Sequence, residues 1–136
     1  MTRFWLTLSQ GADFVLDNLA KMEGGEVFVP KIPSMRITDL AEAIAPECRT
    51  EIVGIRPGEK LHEVLVPEDD ARHTVEYPDR FVIFPTPTED HPLRPVPAGG
   101  RPCVEGFSYS SDTNPEWLSV EELRAILAPD ALALNS

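Results

Sequence analysis

A chain of 136 residues that is 42% apolar has room for one modest globular core. Its formal net charge of −11 argues against a nucleic-acid or anionic-membrane partner, since either would need a basic face. Residues 1–60 hold 7 basic and 9 acidic side chains and residues 61–136 hold 5 and 14, so an anionic substrate favours the first segment, although an acidic second segment is also the ordinary composition of a soluble surface.

Taken in chain order, residues 4–22 carry apolar side chains at helical spacing: Phe4, Leu8, Val15, Leu19 and Met22, with Phe14 widening the stripe. Asp13, Asp17, Asn18 and Lys21 supply the polar positions. The pattern predicts an amphipathic helix with Thr2 as N-cap and Gly24-Gly25 permitting the left-handed stop. Glu26 to Val29 then reads as a short strand stopped by Pro30, apolar enough to be buried between neighbours. Lys31 follows between two prolines, just past a strand end, where α/β sheets place ligands; it could touch a phosphate or a sugar, or be an exposed loop lysine. Thr38 is the expected cap of a second helix from Asp39 to about Ala45, with Leu40, Ala43 and Ile44 inward and Pro46 beyond its end.

Glu51 to Ile55 is the next expected strand, and Arg56-Pro57-Gly58-Glu59-Lys60-Leu61-His62-Glu63 the start of a helix. A guanidinium at a strand end grips a phosphate through two parallel hydrogen bonds. A carboxylate three residues on, in a first helical turn, can accept from two adjacent ribose hydroxyls. Arg56 and Glu59 therefore point to a nucleotide, here a nucleotide-sugar. The spacing is equally compatible with a solvated arginine and an acid that favours the helix dipole.

Thr74 to Glu76 and Arg80 to Phe84 read as a strand pair. From Pro85 to Pro102 there are six prolines and Gly99-Gly100 without periodicity, which predicts a surface loop or an arm that wraps a neighbour. Ser119 with Glu122 three residues later forms a capping-box pattern for a last helix, whose apolar face is Leu123, Ile126 and Leu127. Residues 129–136 are expected to fray. Cys48 and Cys103 are too few for a disulfide framework or metal cluster, and two free thiols suit a reducing cytoplasm. His73 and His91 show no ligand-like spacing, and His62, beside Glu59, reads as a surface side chain without a proton-transfer role. No export signal and no apolar run near 18 residues is apparent, so the expected location is cytoplasmic.

Five blocks occur in order: Met1-Thr2-Arg3-Phe4-Trp5, Val29 to Arg36, Gly54 to Glu63, Asp70 to Thr74, and Tyr109-Ser110-Ser111-Asp112-Thr113-Asn114. Together they resemble the C-terminal portion of the inverting UDP-N-acetylglucosamine 4,6-dehydratases, from Met1 to about Leu127. The resemblance implies an α/β fold: the substrate-binding part of an NAD(P)-binding, Rossmann-type extended short-chain dehydrogenase/reductase. The Gly-rich dinucleotide-binding half and the Tyr-x-x-x-Lys pair are not found here, as Tyr77 is followed four positions later by Phe81 and Tyr109 by Thr113. It follows that no cofactor is held by this chain alone, that no catalytic residue lies in it, and that it is inactive by itself, as a fragment of a lyase would be. In the full-length family NADP oxidises the sugar at C4, water leaves across C5–C6, and hydride returns to C6 with inversion at C5, for bacterial surface-glycan or flagellin-sugar synthesis.

Carried over by that resemblance, Arg3 and Arg56 clamp the two phosphates of a UDP-sugar, Glu59 binds the uridine ribose, and Thr2 and Lys31 are further substrate contacts, Thr2 being equally a plain cap. The expected organisation is a nucleotide-sugar-binding portion at 1–84, a Pro-rich arm at 85–106 and a terminal segment at 107–136. The strand around Val27 would join the sheet of the absent half, so the chain would form a homo-oligomer or pair with that missing N-terminal half. Another nucleotide-sugar enzyme such as an epimerase, or a truncated acidic module without enzymatic role, would share many of these features.

Overall fold

The computed structural model describes residues 1–88, 96 and 98–128. They form two compact units, each built from separated stretches of chain.

The first unit comprises Met1–Gly11, Ile32–Glu63 and the chain from Ser110. Strand β1 (Thr2–Phe4) pairs antiparallel with β3 (Ser34–Arg36), with Thr2 opposite Arg36 and Phe4 opposite Ser34. The Trp5 N–H donates to the Pro33 carbonyl at 2.8 Å and extends this pairing. Ser34, fully buried, is also bracketed by the segment 116–118: its N–H donates to the Glu116 carbonyl and its carbonyl accepts from Leu118. Helix α2 (Ile37–Ile44) follows β3 directly and packs against α3 (Val120–Leu127). Leu123 of α3 is fully buried, and the Arg124 guanidinium donates to the Glu42 carbonyl at the far side of the pair.

The second unit comprises Ala12–Lys31 and Val64–Tyr109. Its sheet has the order β2 (Val27–Pro30), β6 (Arg80–Ile83), β5 (Thr74–Glu76), β7 (Arg101–Pro102). All its pairings are antiparallel. The register sets Val29 and Glu76 opposite Phe81, and Phe28 and Val75 opposite Val82. Alternation then puts Val29 and Phe81 on one face and Phe28, Val75 and Val82 on the other. On the first face the Phe81 ring meets the rings of Phe107 and Tyr109 at 5.2 and 4.9 Å between centroids, in tilted geometry that suits aromatic quadrupoles. Pro78 and Asp79 turn the β5–β6 hairpin, closed by the Tyr77 N–H donating to the Arg80 carbonyl. Ahead of β5, a short 3-10 helix (Glu68–His73) has three acidic residues in its first turn and Arg72 and His73 in its last, matching the helix dipole at both ends. Strand β4 (Val64–Val66) ends at the fully buried Val66 and pairs with β8 (Tyr109–Ser110).

Several expectations are corrected. Residues 4–22 are not one helix: Thr2 lies in β1 rather than at a helix cap, and α1 spans Leu8–Leu19. Most of the expected buried stripe is exposed, with Leu8 86% accessible and Val15, Leu19 and Met22 also exposed, while Phe4 and Phe14 are half-buried; the buried α1 residue is Asn18. Periodicity gave the helix but not which side is covered, because Asn18 is held by Arg80 and by the Phe14 carbonyl. Among the described residues β2 stands at a sheet edge, not between two neighbours, and Val27 is exposed. Helix α2 begins one residue before Thr38, with Arg36 at the cap and no side-chain capping bond.

The strand at 51–55 and the helix after it are absent; residues 51–63 are irregular. Ile52 is 99% exposed and Gly54 has φ +82°, so no pleated surface forms there. Pro57 at the second position and Gly58 at φ +80° in the third instead satisfy a type II turn, closed by the Glu59 N–H donating to the Arg56 carbonyl at 3.0 Å. The end of the expected Pro-rich arm is also packed. Arg101–Pro102 pairs with β5, and a Cβ on Gly100 would come within 2.5 Å of Val75 Cγ1, which admits only glycine. Residues 89–95, His91 among them, residue 97 and the tail from Pro129 lie outside the described residues.

Candidate functional site

Arg56 and Glu59 sit on the type II turn, where two bonds lock them to each other. The backbone bond from Glu59 to Arg56 is answered by the Glu59 carboxylate, whose Oε2 accepts the Arg56 N–H at 3.1 Å. The turn therefore fixes the acid while leaving its other oxygen uncommitted to this bond. The Arg56 side chain is exposed, and its guanidinium makes no hydrogen bond or ion pair with a described residue. A free fork beside a fixed carboxylate, both in open solvent, can receive an anion bearing adjacent hydroxyls.

Arg3 reaches the same segment from β1. Its Nη1 donates to the carbonyls of Thr2 at 2.7 Å and Leu61 at 3.3 Å, and its Nη2 donates to Lys60 at 2.9 Å. Nε lies 3.3 Å from the Glu63 carboxylate. A guanidinium has five N–H donors, so one Nη2 hydrogen remains beyond these contacts. The Thr2 N–H in turn donates to the Leu61 carbonyl at 2.9 Å. Thus Thr2, Arg3, Arg56 and Glu59 lie in one unit, with Arg3 gripping the chain immediately after the turn.

Thr2 is buried, and its hydroxyl contacts His62 Nδ1 at 2.9 Å and Ser111 Oγ at 2.6 Å. These partners escaped the sequence reading. In sequence His62 reads as a surface side chain and the block 109–114 stands out only by resemblance, because the contacts span 60 and 109 positions. In that block the Ser110 hydroxyl bonds the Asp112 carboxylate, which holds the Asp112 carboxyl below its ordinary range.

Lys31 belongs to the second unit. Its ammonium pairs with Glu76 at 2.8 Å and lies 4.9 Å from the Phe81 ring centre. Arg101 takes the other Glu76 oxygen at 2.6 Å. The Arg101 bond first and the Lys31 bond second hold the Glu76 carboxyl below its usual value, against the opposing effect of burial. Burial raises the nearby Cys103 thiol, which is therefore not an activated nucleophile. This unit also has a cavity of about 620 Å³ lined by Lys21, Phe28, Tyr77, Arg80, Val82 and Phe84 with their neighbours; Lys31 is not part of its wall. Burial pushes the Tyr77 phenol up.

A dinucleotide does not fit the described residues. The connection from β1 to α1 is Trp5-Leu6-Thr7, without glycine, and β3 runs straight into α2, so neither lets a backbone approach a pyrophosphate. No group of three or more His, Cys, Asp or Glu among the described residues is arranged to hold a metal ion. No helix among them is long and apolar enough to cross a membrane.

Comparison with known proteins places this geometry in context. A family model described as polysaccharide biosynthesis protein matches residues 1–85. Over 132 residues the chain is 47% identical to a UDP-N-acetylglucosamine 4,6-dehydratase (inverting) of Campylobacter jejuni, covering 93% of this chain and 40% of that protein. A UDP-glucose 4-epimerase of Rickettsia conorii is 29% identical over 131 residues. The solved structure of Pen from Bacillus thuringiensis superposes with a TM-score of 0.75 at 31% identity, over 93% of this chain and 38% of that one. The α/β expectation, part of an extended short-chain dehydrogenase/reductase, agrees with that match. The chain spans about two fifths of the length of the Campylobacter relatives, which are 40% covered.

Proposed function

This chain belongs to the polysaccharide biosynthesis protein family, and from that premise we propose that it is the substrate-binding part of a UDP-N-acetylglucosamine 4,6-dehydratase that inverts C5, acting in bacterial glycan synthesis. The observation that carries this is the Arg56–Glu59 turn, a free guanidinium and a fixed carboxylate held three residues apart on an exposed loop. Arg56 forks onto the diphosphate oxygens, and the Glu59 oxygen not held by the turn accepts from the ribose hydroxyls. Arg3 adds its charge and its remaining Nη2 hydrogen from the base of the loop. Lys31, paired with Glu76 in the other unit, would have to leave that carboxylate to meet any phosphate. The proton and hydride transfers of a dehydratase fall to groups outside this chain, and UDP recognition is what its own residues supply. The 47% identity to the Campylobacter dehydratase, against 29% to the epimerase, favours the dehydratase over an epimerase on the same phosphate clamp.

Titration calorimetry with UDP tests the clamp. Arg56→Ala is expected to lose roughly 1.5–3 kcal/mol, the range for a hydrogen bond to a charged group. Equal affinity in variant and parent, or no heat with the parent at millimolar UDP, would remove the basis of the proposal.

A further inference from the structure

The block Ser110 to Asn114 takes no part in the clamp, yet its side chains tie together three separate stretches that surround it. Ser111 is fully buried. Its N–H donates to the Glu63 carbonyl at 2.8 Å, and its hydroxyl oxygen accepts the Glu63 N–H at 2.9 Å, so one serine holds both backbone groups of the residue that closes the loop. The same hydroxyl lies 2.6 Å from the Thr2 hydroxyl on β1, which lies 2.9 Å from His62 Nδ1. One direction of donation uses every hydrogen in this chain: Glu63 N–H to Ser111, Ser111 O–H to Thr2, Thr2 O–H to His62 Nδ1. The reverse direction leaves the buried Ser111 proton without an acceptor, which is costly. Asn114, also buried, extends the tie to a third stretch: its Nδ2 lies 2.8 Å from the Ile32 carbonyl and 3.0 Å from Ser34 Oγ.

We infer that Thr2, Ser111 and Asn114 are positioning residues. They fasten residues 61–63, the Ile32–Ser34 stretch and β1 into one frame, and that frame sets where Arg3 and the Arg56–Glu59 turn stand. The inference rests on the proposed UDP clamp and deepens it. Thr2 acts through its hydroxyl on the frame, not on the ligand. The bland alternative is a buried polar cluster that stabilises the fold and leaves the clamp indifferent.

Thr2→Val and Thr2→Ser separate these. Valine keeps the shape and suits a strand but removes the hydroxyl, whereas serine keeps it. Hydrogen exchange is measured first, without ligand. In Thr2→Val the amides of residues 59–63 are expected to exchange about tenfold faster, a 1.4 kcal/mol local loss by the usual conversion, with the β5–β6 hairpin unchanged. Thr2→Ser is expected to exchange at the parental rate. UDP affinity is then expected to fall at least fivefold in Thr2→Val and to be restored in Thr2→Ser. Parental exchange in Thr2→Val overturns the inference whatever UDP does. Faster exchange with undiminished UDP affinity also overturns it, since the frame would then position nothing the ligand uses. Failure of the parent to bind UDP would sink the clamp itself, and with it the claim that this frame serves the clamp; the exchange result would then describe the frame alone.

Discussion

Glu76 shows how one carboxylate can organise a cluster. It receives Lys31, whose ammonium stands over the Phe81 ring, and Arg101 on its two oxygens, and its carboxyl sits below the ordinary 4.5. A folded-state value below the unfolded one means that the folded chain binds this proton less readily, so the cluster stabilises the fold fully at neutral pH. That contribution is lost as pH falls from about 4.5 through the lower folded value. Glu76→Gln is therefore expected to flatten the acid side of the stability–pH curve, read by urea unfolding between pH 3 and 7 against the parent. A curve as steep as the parent's would show that the acid loss arises elsewhere. At the same scale, the closeness of Arg56 and Glu59 was legible, because their three-residue spacing carries it. Their backbone differs from the expected helix start: the Pro57-Gly58 dipeptide is a turn signal, and the turn it forms replaces the first helical turn expected over Arg56 to Glu63.

Among the elements, α3 was the most readable. Ser119 accepts the Glu122 N–H at 3.2 Å while the Glu122 carboxylate accepts the Ser119 N–H at 2.8 Å, the capping box that the four-residue pattern predicts. These bonds lower the Glu122 carboxyl, the Ser119 backbone bond first. Ser119→Ala is expected to cost about 1 kcal/mol, seen as faster amide exchange through the first turn of α3; exchange unchanged there would mean that packing on α2 alone defines the helix start. The β5–β6 hairpin was equally legible from its apolar runs around Pro78-Asp79. The 51–55 stretch was not, because Ile52, Val53 and Ile55 look like strand residues whatever their neighbours, and a strand needs a partner that sequence does not reveal. β1 failed for the converse reason: its three residues are paired by β3, thirty positions away, and carry no periodic signal of their own.

For the whole molecule, the unread part was the location of the apolar surface. Composition gives enough apolar residues for a core, but on α1 the side that carries Val15, Leu16 and Leu19 faces outward, and β2 leaves one sheet edge unpaired among the described residues. An exposed apolar helix face and an open sheet edge each favour association. The isolated chain is expected to self-associate, and Leu16→Lys with Leu19→Lys to shift sedimentation velocity toward the monomer. Each substitution should change stability by no more than about 0.5 kcal/mol, being on the surface; an unshifted distribution would place the contact on another face. The irregular stretch before the Arg3 anchors has a different consequence. Exposed backbone without strand partners is where endoproteases enter. Pro57 shields the bond after Arg56, so Lys60 is the next basic residue at which trypsin could cut, at the bond between the Lys60 and Leu61 carbonyls that Arg3 holds. A nick there would sever the gripping fork from its footing while leaving both units otherwise whole, and digestion slowed by a bound nucleotide would register occupancy of the turn without any enzymatic assay.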